Sequence, residues 1–272
     1  MALIPHSGSV TFTFKGSGYN DATTTFANGI RPCCFYSEQG LGNPLQVTME
    51  IKPTPTYKFS VSSSTTVEFA PGNLWYNTSE EKFYFEENQW NLINGWDENH
   101  VSHFKWSSKD HSVLHDGSYG GSLFCANSFE VTGDSHDDWR TLTKEEWEYL
   151  FKTRKVNGYA GNNHSYVWAT VNNASGLIIF HDDYTGSTTG LTSIPDGCVF
   201  LPATGYYISP NNSTLYGVNE RLYYWSSSLY TTSTSTPSAY AINCYTTNGV
   251  GFFNMANSNA YSIRLVRNLP SK

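Results

Sequence analysis

Three kinds of side chain in this sequence could carry chemistry: thiols, a run of histidines and two acidic turns. The cysteines are Cys33, Cys34, Cys125, Cys198 and Cys244. Their number is odd and their spacing matches no zinc-ligand pattern. Cys125 stands in Leu123-Phe124-Cys125-Ala126 and Cys198 in Cys198-Val199-Phe200-Leu201. Apolar runs of this kind bury a thiol and leave it inert. A bridge between the neighbours Cys33 and Cys34 would be strained, and neither is assigned a role. His100, His103, His111 and His115 fall close to Asp97, Asp110 and Asp116. His111 and His115 are four apart, which on a helix would put two metal ligands on one face. Ser107, Ser108 and Ser112 mark a loop instead, and no third ligand is placed by spacing, so no metal site is expected. His136-Asp137-Asp138 and His181-Asp182-Asp183 read as acidic turns. Their carboxylates either cap the turn or hold a structural calcium through oxygen ligands, and capping is the simpler role. No cofactor is otherwise expected. The sequons at Asn77, Asn163, Asn173, Asn211 and Asn212 are what chance gives in a chain this rich in Asn, Ser and Thr.

Composition excludes several classes of function. The 272 residues carry 14% charged and 16% aromatic side chains, with 16 Lys+Arg against 23 Asp+Glu. Soluble domains average roughly 25% charged residues. A net charge of −7 offers no basic field for a phosphate backbone, so nucleic acid is not an expected partner. Low charge with abundant aromatics is the opposite of a disordered composition. No uncharged apolar run approaches the ~18 residues of a membrane helix. The start, Met1-Ala2-Leu3-Ile4-Pro5-His6, lacks the charged and apolar regions of a signal peptide. That leaves an intracellular or virion-borne protein, or one whose export signal is not in this chain.

The elements that must position these residues are mostly short strands. Ser9 to Phe14 and Leu45 to Ile51 alternate polar and apolar residues, the period of a half-buried strand. Lys52-Pro53-Thr54-Pro55-Thr56 then reads as a stiff connector. Residues 1–55 are therefore expected to form a small β-module, and 56–272 a second, larger domain. Strand-like runs follow at Lys58–Val61, Val67–Ala70, Lys82–Glu86, Gly176–Phe180, Cys198–Leu201, Tyr223–Ser227, Ala239–Cys244 and Ser262–Arg267. The one strong helix spans Thr143–Lys152, opened by a Thr143/Glu146 capping box and carrying Trp147, Leu150 and Phe151 on one face. Residues 94–122 read as a long loop. The fold class expected is α+β.

One segment stands apart. From Leu222 to Ile263 there is no Asp, Glu, Lys or Arg. The stretch is built of Tyr, Ser, Thr, Asn, Gly and Ala, which is the chemistry of an antibody paratope. Tyr offers large contact area at small rotamer cost, and Ser, Gly and Asn supply adaptable hydrogen bonds. A Ser/Thr-rich strand region of no special purpose would have a similar composition.

Several blocks, in order, resemble the C-type-lectin-fold proteins related to formylglycine-generating enzyme, and among them the variable proteins diversified by retroelements. They are Val67–Leu74 (VEFAPGNL), Glu87–Trp90 (ENQW), Asp138–Phe151 (DWRTLTKEEWEYLF), Gly176–Ile179 (GLII), Val199–Tyr206 (VFLPATGY), Tyr224–Ser228 (YWSSS) and Ile263–Arg267 (IRLVR). Together they cover roughly residues 60–267; the first 55 are not covered. The resemblance implies short mixed strands, one or two helices, long loops and a C-terminal variable region over 222–267. In such proteins errors at adenines rewrite Asn codons of the AAC or AAT type. Those changes cannot produce Lys, Glu, Gln, Met or Trp. Leu229 to Tyr261 contains none of these except Met255.

By the same resemblance Tyr224, Trp225, Ser226, Ser227, Ile263, Arg264 and Val266 are scaffold. The candidates for the variable, ligand-binding face are Tyr223, Leu229, Tyr230, Thr232, Ser235, Tyr240, Ile242, Cys244, Tyr245, Thr247, Asn248, Phe252 and Asn254. Tyr240, Ile242 and Cys244 share one side of a strand. Either that side binds, or it is core and Ala241 and Asn243 face out. Formylglycine-generating enzymes oxidise with two nearby cysteines, whereas Cys244 has no neighbour a few residues away, and the lectin triplets Glu-Pro-Asn and Gln-Pro-Asp are absent. The expectation is a non-enzymatic receptor- or adhesin-type protein, displayed on a cell surface or phage particle and facing a protein or cell-surface ligand. The alternatives are a fixed-sequence structural or adhesive surface protein and, further off, a divergent enzyme of the parent family.

Overall fold

A computed structural model describes the backbone of three strands within residues 10–51. It describes side chains as well over 57–92, 99–106, 128–208, 214–230, 238–245 and 249–270. The chain divides into two units, Met1–Thr56 and Tyr57–Lys272. In the first, β1 (Val10–Lys15) lies between β2 (Ala22–Phe26) and β3 (Gln46–Ile51), antiparallel to both. Val10 stands opposite Phe26 on one side and Ile51 on the other.

The second unit is α+β, with many short strands and little helix. Its first strands are β4 (Phe59–Ser60), β5 (Thr66–Phe69), β6 (Leu74–Asn77), β7 (Lys82–Phe85) and β8 (Phe104–Lys105). Helix α1 (Lys144–Glu148) follows and widens into a π-helical turn, Tyr149–Thr153. After it come β9 (Tyr166–Val171), β10 (Ala174–Ile179), β11 (Val199–Pro202), β12 (Leu222–Tyr230), β13 (Ser238–Cys244), β14 (Gly251–Ala256), β15 (Ala260–Tyr261) and β16 (Val266–Asn268). The strands form small antiparallel sheets, β16-β5-β4, β11-β10-β9, β12-β13-β14, β6-β7 and β15-β8.

Local chemistry accounts for several of these elements. Thr143 Oγ1 accepts from the Glu146 amide at 3.2 Å, and Glu146 Oε2 accepts from the Thr143 amide at 2.8 Å. The capping box thus satisfies two orphan donors at the start of α1. Arg140 adds a two-pronged pair to the same Glu146. Trp147 and Phe151 stack at 5.7 Å and are buried. The helix expected to run evenly to Lys152 instead widens, with the Arg154 amide bonding the Tyr149 carbonyl five residues back at 2.7 Å. Asn172 and Asn173 both have positive φ, 48° and 65°, and close β9 and β10 as a two-residue hairpin.

The run expected as a strand over Ser262–Arg267 is a ladder only from Val266. Its first residues are stitched singly to other segments. Ser262 accepts from the Trp225 amide, Ile263 from Leu74 and Leu265 from Ala70.

The core is organised around the three-stranded sheet β12-β13-β14. Leu222, Tyr224, Ile242 and Cys244 point into one apolar cluster with Trp147, Phe151, Leu177 and Val266. Tyr223, Trp225, Ala239 and Ala241 point into another with Trp106, Tyr261 and Ile263. Both faces of the middle of this sheet are therefore enclosed. The alternation carries on through β10, where Leu177 and Ile179 join the first of these clusters and Ile178 a third, with Phe180 and Phe200.

Candidate binding face

The thiols and histidines of the described residues sit in settings that quiet them. Cys198 and Cys244 are buried, and desolvation pushes both thiols up to about 12. A thiol held protonated is neither nucleophile nor metal ligand. Cys33, Cys34 and Cys125 lie outside the described residues, as do His111 and His115. His100 is not a free loop residue: its ring stacks on Trp75 at 4.0 Å and Nε2 meets Glu86 Oε1 at 2.7 Å. His103 is buried between Ser102 Oγ and the Thr204 carbonyl.

His136 of the first acidic turn and Asp182 of the second are engaged in hydrogen bonds. His136 Nδ1 and its amide both meet Asp134 Oδ1, at 2.6 and 2.8 Å. Asp182 accepts from Arg154 Nη1 at 3.0 Å and from the Ser60 amide and hydroxyl. Arg154 is itself buried, and donates to the Phe180 and Ser165 carbonyls as well. Among the described residues, no group of three or more His, Cys, Asp or Glu is arranged to hold a metal ion.

Within the uncharged window the frame is enclosed. Tyr224 donates to the Pro202 carbonyl and accepts from Asn73 Nδ2 at 2.9 Å. Its phenol lies in a site so dry that its pKa is raised well above the ordinary value. Trp225 Nε1 donates to the Phe104 carbonyl at 2.6 Å, and Ser226 Oγ to the Tyr240 carbonyl at 2.8 Å. Arg264 is buried and donates to the Ala70 and Phe200 carbonyls at 3.0 and 2.6 Å. Ser227, half-buried, is held through its amide by the Leu142 carbonyl.

Three candidates for the binding face are corrected by this packing. Ile242 and Cys244 are each 1% exposed and belong to the core shared with α1; Tyr223 is buried on the opposite side, stacked on Tyr261 at 4.9 Å. The choice left open for β13 resolves into neither simple alternative. Its Ile242 side is core, and Ala241 on the other side is core as well, because each face of the sheet carries its own apolar cluster.

The candidates that reach solvent stand at the ends and edge of the sheet. Leu229 is 43% exposed and Tyr245 45%, and Asn254 is exposed. Tyr230, Tyr240 and Phe252 are half-buried. Tyr230 and Tyr240 meet edge to face at 5.3 Å, with Lys144 Nζ 5.2 Å from the Tyr240 ring centre. Lys152 Nζ lies 4.2 Å from the centre of the Phe252 ring. Thr232, Ser235, Thr247 and Asn248 fall outside the described residues.

Composition and resemblance missed part of this surface. Phe253, 48% exposed, lies beside the chosen Phe252, and no period-2 pattern in the sequence of this strand singles it out. A second group lies before the window. Tyr206 packs against Tyr223 at 4.7 Å and Tyr216 at 5.9 Å, and its hydroxyl accepts from Arg221 Nη1 at 3.3 Å. The Arg221 guanidinium also lies 5.9 Å from the Tyr245 ring. A chain of rings thus runs from buried Trp225 through Tyr261, Tyr223 and Tyr206 to exposed Tyr216.

A recess of about 970 Å³ opens elsewhere, lined by residues such as Phe83, Phe129, Asp134 and His136 and by none from the window. No helix among the described residues is long and apolar enough to cross a membrane. Compared with known protein families, curated proteins and solved structures, the chain matches none.

Proposed function

We propose that this chain is a non-enzymatic, receptor- or adhesin-type binding protein of the C-type-lectin-like, formylglycine-generating-enzyme-like class. Its face at the ends of β12, β13 and β14 is diversified by a retroelement and engages a protein or cell-surface ligand. The chain would be displayed on a cell surface or phage particle.

One observation carries the reading. A charge-free stretch is enclosed on both faces in its middle, yet delivers Leu229, Tyr245, Phe253 and Asn254 to solvent at its margins. Desolvation alone accounts for the missing charges at enclosed positions. It does not account for them at exposed ones, where Lys and Glu are the ordinary residues. Exposed Tyr and Asn without charge suit contact recognition, with aromatic anchors and adaptable hydrogen bonds on a rigid frame. The buried, protonated thiols of Cys198 and Cys244 support the non-enzymatic part.

The test is in the DNA beside the gene. The reading expects a near-copy of the segment encoding residues 222–267, differing chiefly at adenines and accompanied by a reverse transcriptase. A neighbourhood without such a copy refutes the diversification, leaving a binding face of fixed sequence.

A further inference from the structure

The geometry points to a second copy of this chain as the partner of strand β14, joined edge to edge across a two-fold axis at Phe253. The directions of the backbone groups in the sheet lead there. The Trp225 amide bonds Ser262, outside the sheet, so Trp225 turns its backbone away from β13. In an antiparallel pair the two kinds of opposed residue alternate. Tyr224 opposite Ile242 and Leu222 opposite Cys244 are then the hydrogen-bonded pairs of β12 and β13. On β13 the intervening Ala239, Ala241 and Asn243 turn towards β14, where they face Met255, Phe253 and Gly251. That leaves Phe252 and Asn254 with amide and carbonyl directed away from the sheet. Ala256, next in that series, has its carbonyl taken by the Asn259 amide. Among the described residues nothing pairs with β14 on its outer side.

The two edges of this sheet are thus unlike. The outer side of β12 is closed by Ser262 and Leu142. Among the described residues the outer side of β14 is unpaired, and the strand carries none of the devices that keep an edge so, such as Lys, Pro or an inward charge.

A second copy fits this edge better than an unrelated strand because the pattern is self-complementary. With the axis at Phe253, Phe252 of one copy faces Asn254 of the other, and each such pair exchanges two backbone hydrogen bonds. The two Phe253 residues form the intervening pair that is not hydrogen-bonded, where side chains approach most closely. Phe253 presents its ring there at 48% exposure. A two-fold contact brings each residue near its own copy, so any charge on it meets a like charge. The window from Leu222 to Ile263 has no charge to repel. Lys152 lies over Phe252 on this strand, bridged to Glu148, which also holds Lys144. Such a dimer would set two copies of the Tyr245 and Leu229 margins on one particle, raising avidity without new contacts.

Sedimentation equilibrium of the full chain over a concentration series tests this. The wild type should reach twice the monomer mass as concentration rises. Phe253→Lys and Phe253→Glu should each stay monomeric, with the thermal transition that the wild type shows at dilutions where it too is monomeric, since the side chain is half exposed. Mixed in equal amounts, the two variants should associate again, which a folding defect could not do. Asn254→Pro, which removes an outward amide that the edge pairing needs at a position where edge strands tolerate proline, should also be monomeric. A wild type that stays monomeric throughout, single variants that still dimerise, or a mixture that fails to associate would each overturn the proposal. None of these outcomes depends on a ligand, so the reading of the binding face stands or falls separately.

Discussion

Acid should loosen this fold through one buried imidazole. His103 Nε2 lies 3.2 Å from the Thr204 carbonyl and Nδ1 3.1 Å from Ser102 Oγ. A carbonyl only accepts, so Nε2 carries the proton and Nδ1 accepts from the serine hydroxyl. Burial lowers the pKa from 6.5 to about 4, partly opposed by hydrogen bonds to the backbone of Thr204 and Gly205. The unfolded chain therefore takes up a proton that the folded one refuses. The stability from neutral His103 is complete above pH 6.5 and is lost as pH falls towards 4. Each tenfold difference in proton affinity is worth ~1.4 kcal/mol, so the full effect is about 3 kcal/mol, of which roughly 2 kcal/mol has gone by about pH 4.5. His181 is also lowered by desolvation and acts in the same direction. The comparison is therefore with His103→Gln, whose amide can still donate to Thr204 and does not titrate. Urea unfolding of both proteins from neutral pH down to about pH 4.5 reads the difference. The wild type should lose roughly 2 kcal/mol more than the variant. Parallel profiles for the two proteins would refute the reasoning. Asp134 and Glu148, whose pKa values are lowered, contribute stability that is lost only at more acid pH, and equally in both.

Three other measurements bear on the frame. Arg264→Met removes the donors to the Ala70 and Phe200 carbonyls, both bonded deep in the core, and should cost about 2–4 kcal/mol in urea unfolding; a loss below ~1 kcal/mol would mean that relief from the buried charge offsets the lost bonds. Gly176→Ala would drive a Cβ into the Leu201 carbonyl oxygen, a side-chain atom against backbone that cannot easily move across β10 and β11, and should destabilise by roughly 1–3 kcal/mol, read as a lowered thermal midpoint. With thiols near 12, only about one in ten thousand Cys198 or Cys244 side chains is ionised at pH ~8, so mass spectrometry should find both unalkylated by iodoacetamide in native protein and labelled after unfolding.

What could be read from the sequence was local. The capping box at Thr143 depends on residues three apart, so it is visible without a structure, and so is the alternation of β13. The side of β13 that faces the core is set by what lies above and below it. Here both sides are covered, which no period-2 pattern announces. The π-helical turn lies where Leu150 and Phe151 enter the core and Arg154 bonds the Phe180 and Ser165 carbonyls, contacts distant in sequence. Strand β14 is illegible for the opposite reason: Phe-Phe-Asn-Met has no clean alternation because much of it reaches solvent. The Asn172-Asn173 turn was legible in principle, since paired Asn residues tolerate positive φ and make tight hairpins. Tyr206, Tyr216 and Arg221 could not be found by looking for missing charge, because they precede the charge-free window and join it only through packing.

Missing charge has two causes in this molecule, and they assign different fates to different residues. At Leu222, Tyr224, Trp225, Ala239, Ala241, Ile242 and Cys244 the cause is enclosure. A charge there would have to be desolvated without a partner, which no copy of the protein could tolerate. At Leu229, Tyr245, Phe253 and Asn254 water is available, so desolvation does not account for the lack of charge. If copies of this chain are diversified as proposed, substitutions should gather at Leu229 and Tyr245 and in the segments joining β12 to β13 and β13 to β14, whereas Phe253, on the proposed two-fold axis, should stay uncharged. Comparing the coding segment across sibling strains or phage populations reads this directly. Free variation at Ile242 or Cys244, as frequent as at Tyr245, would break the separation of frame from face, because a polar side chain at either position would stand among Trp147, Leu177 and Val266.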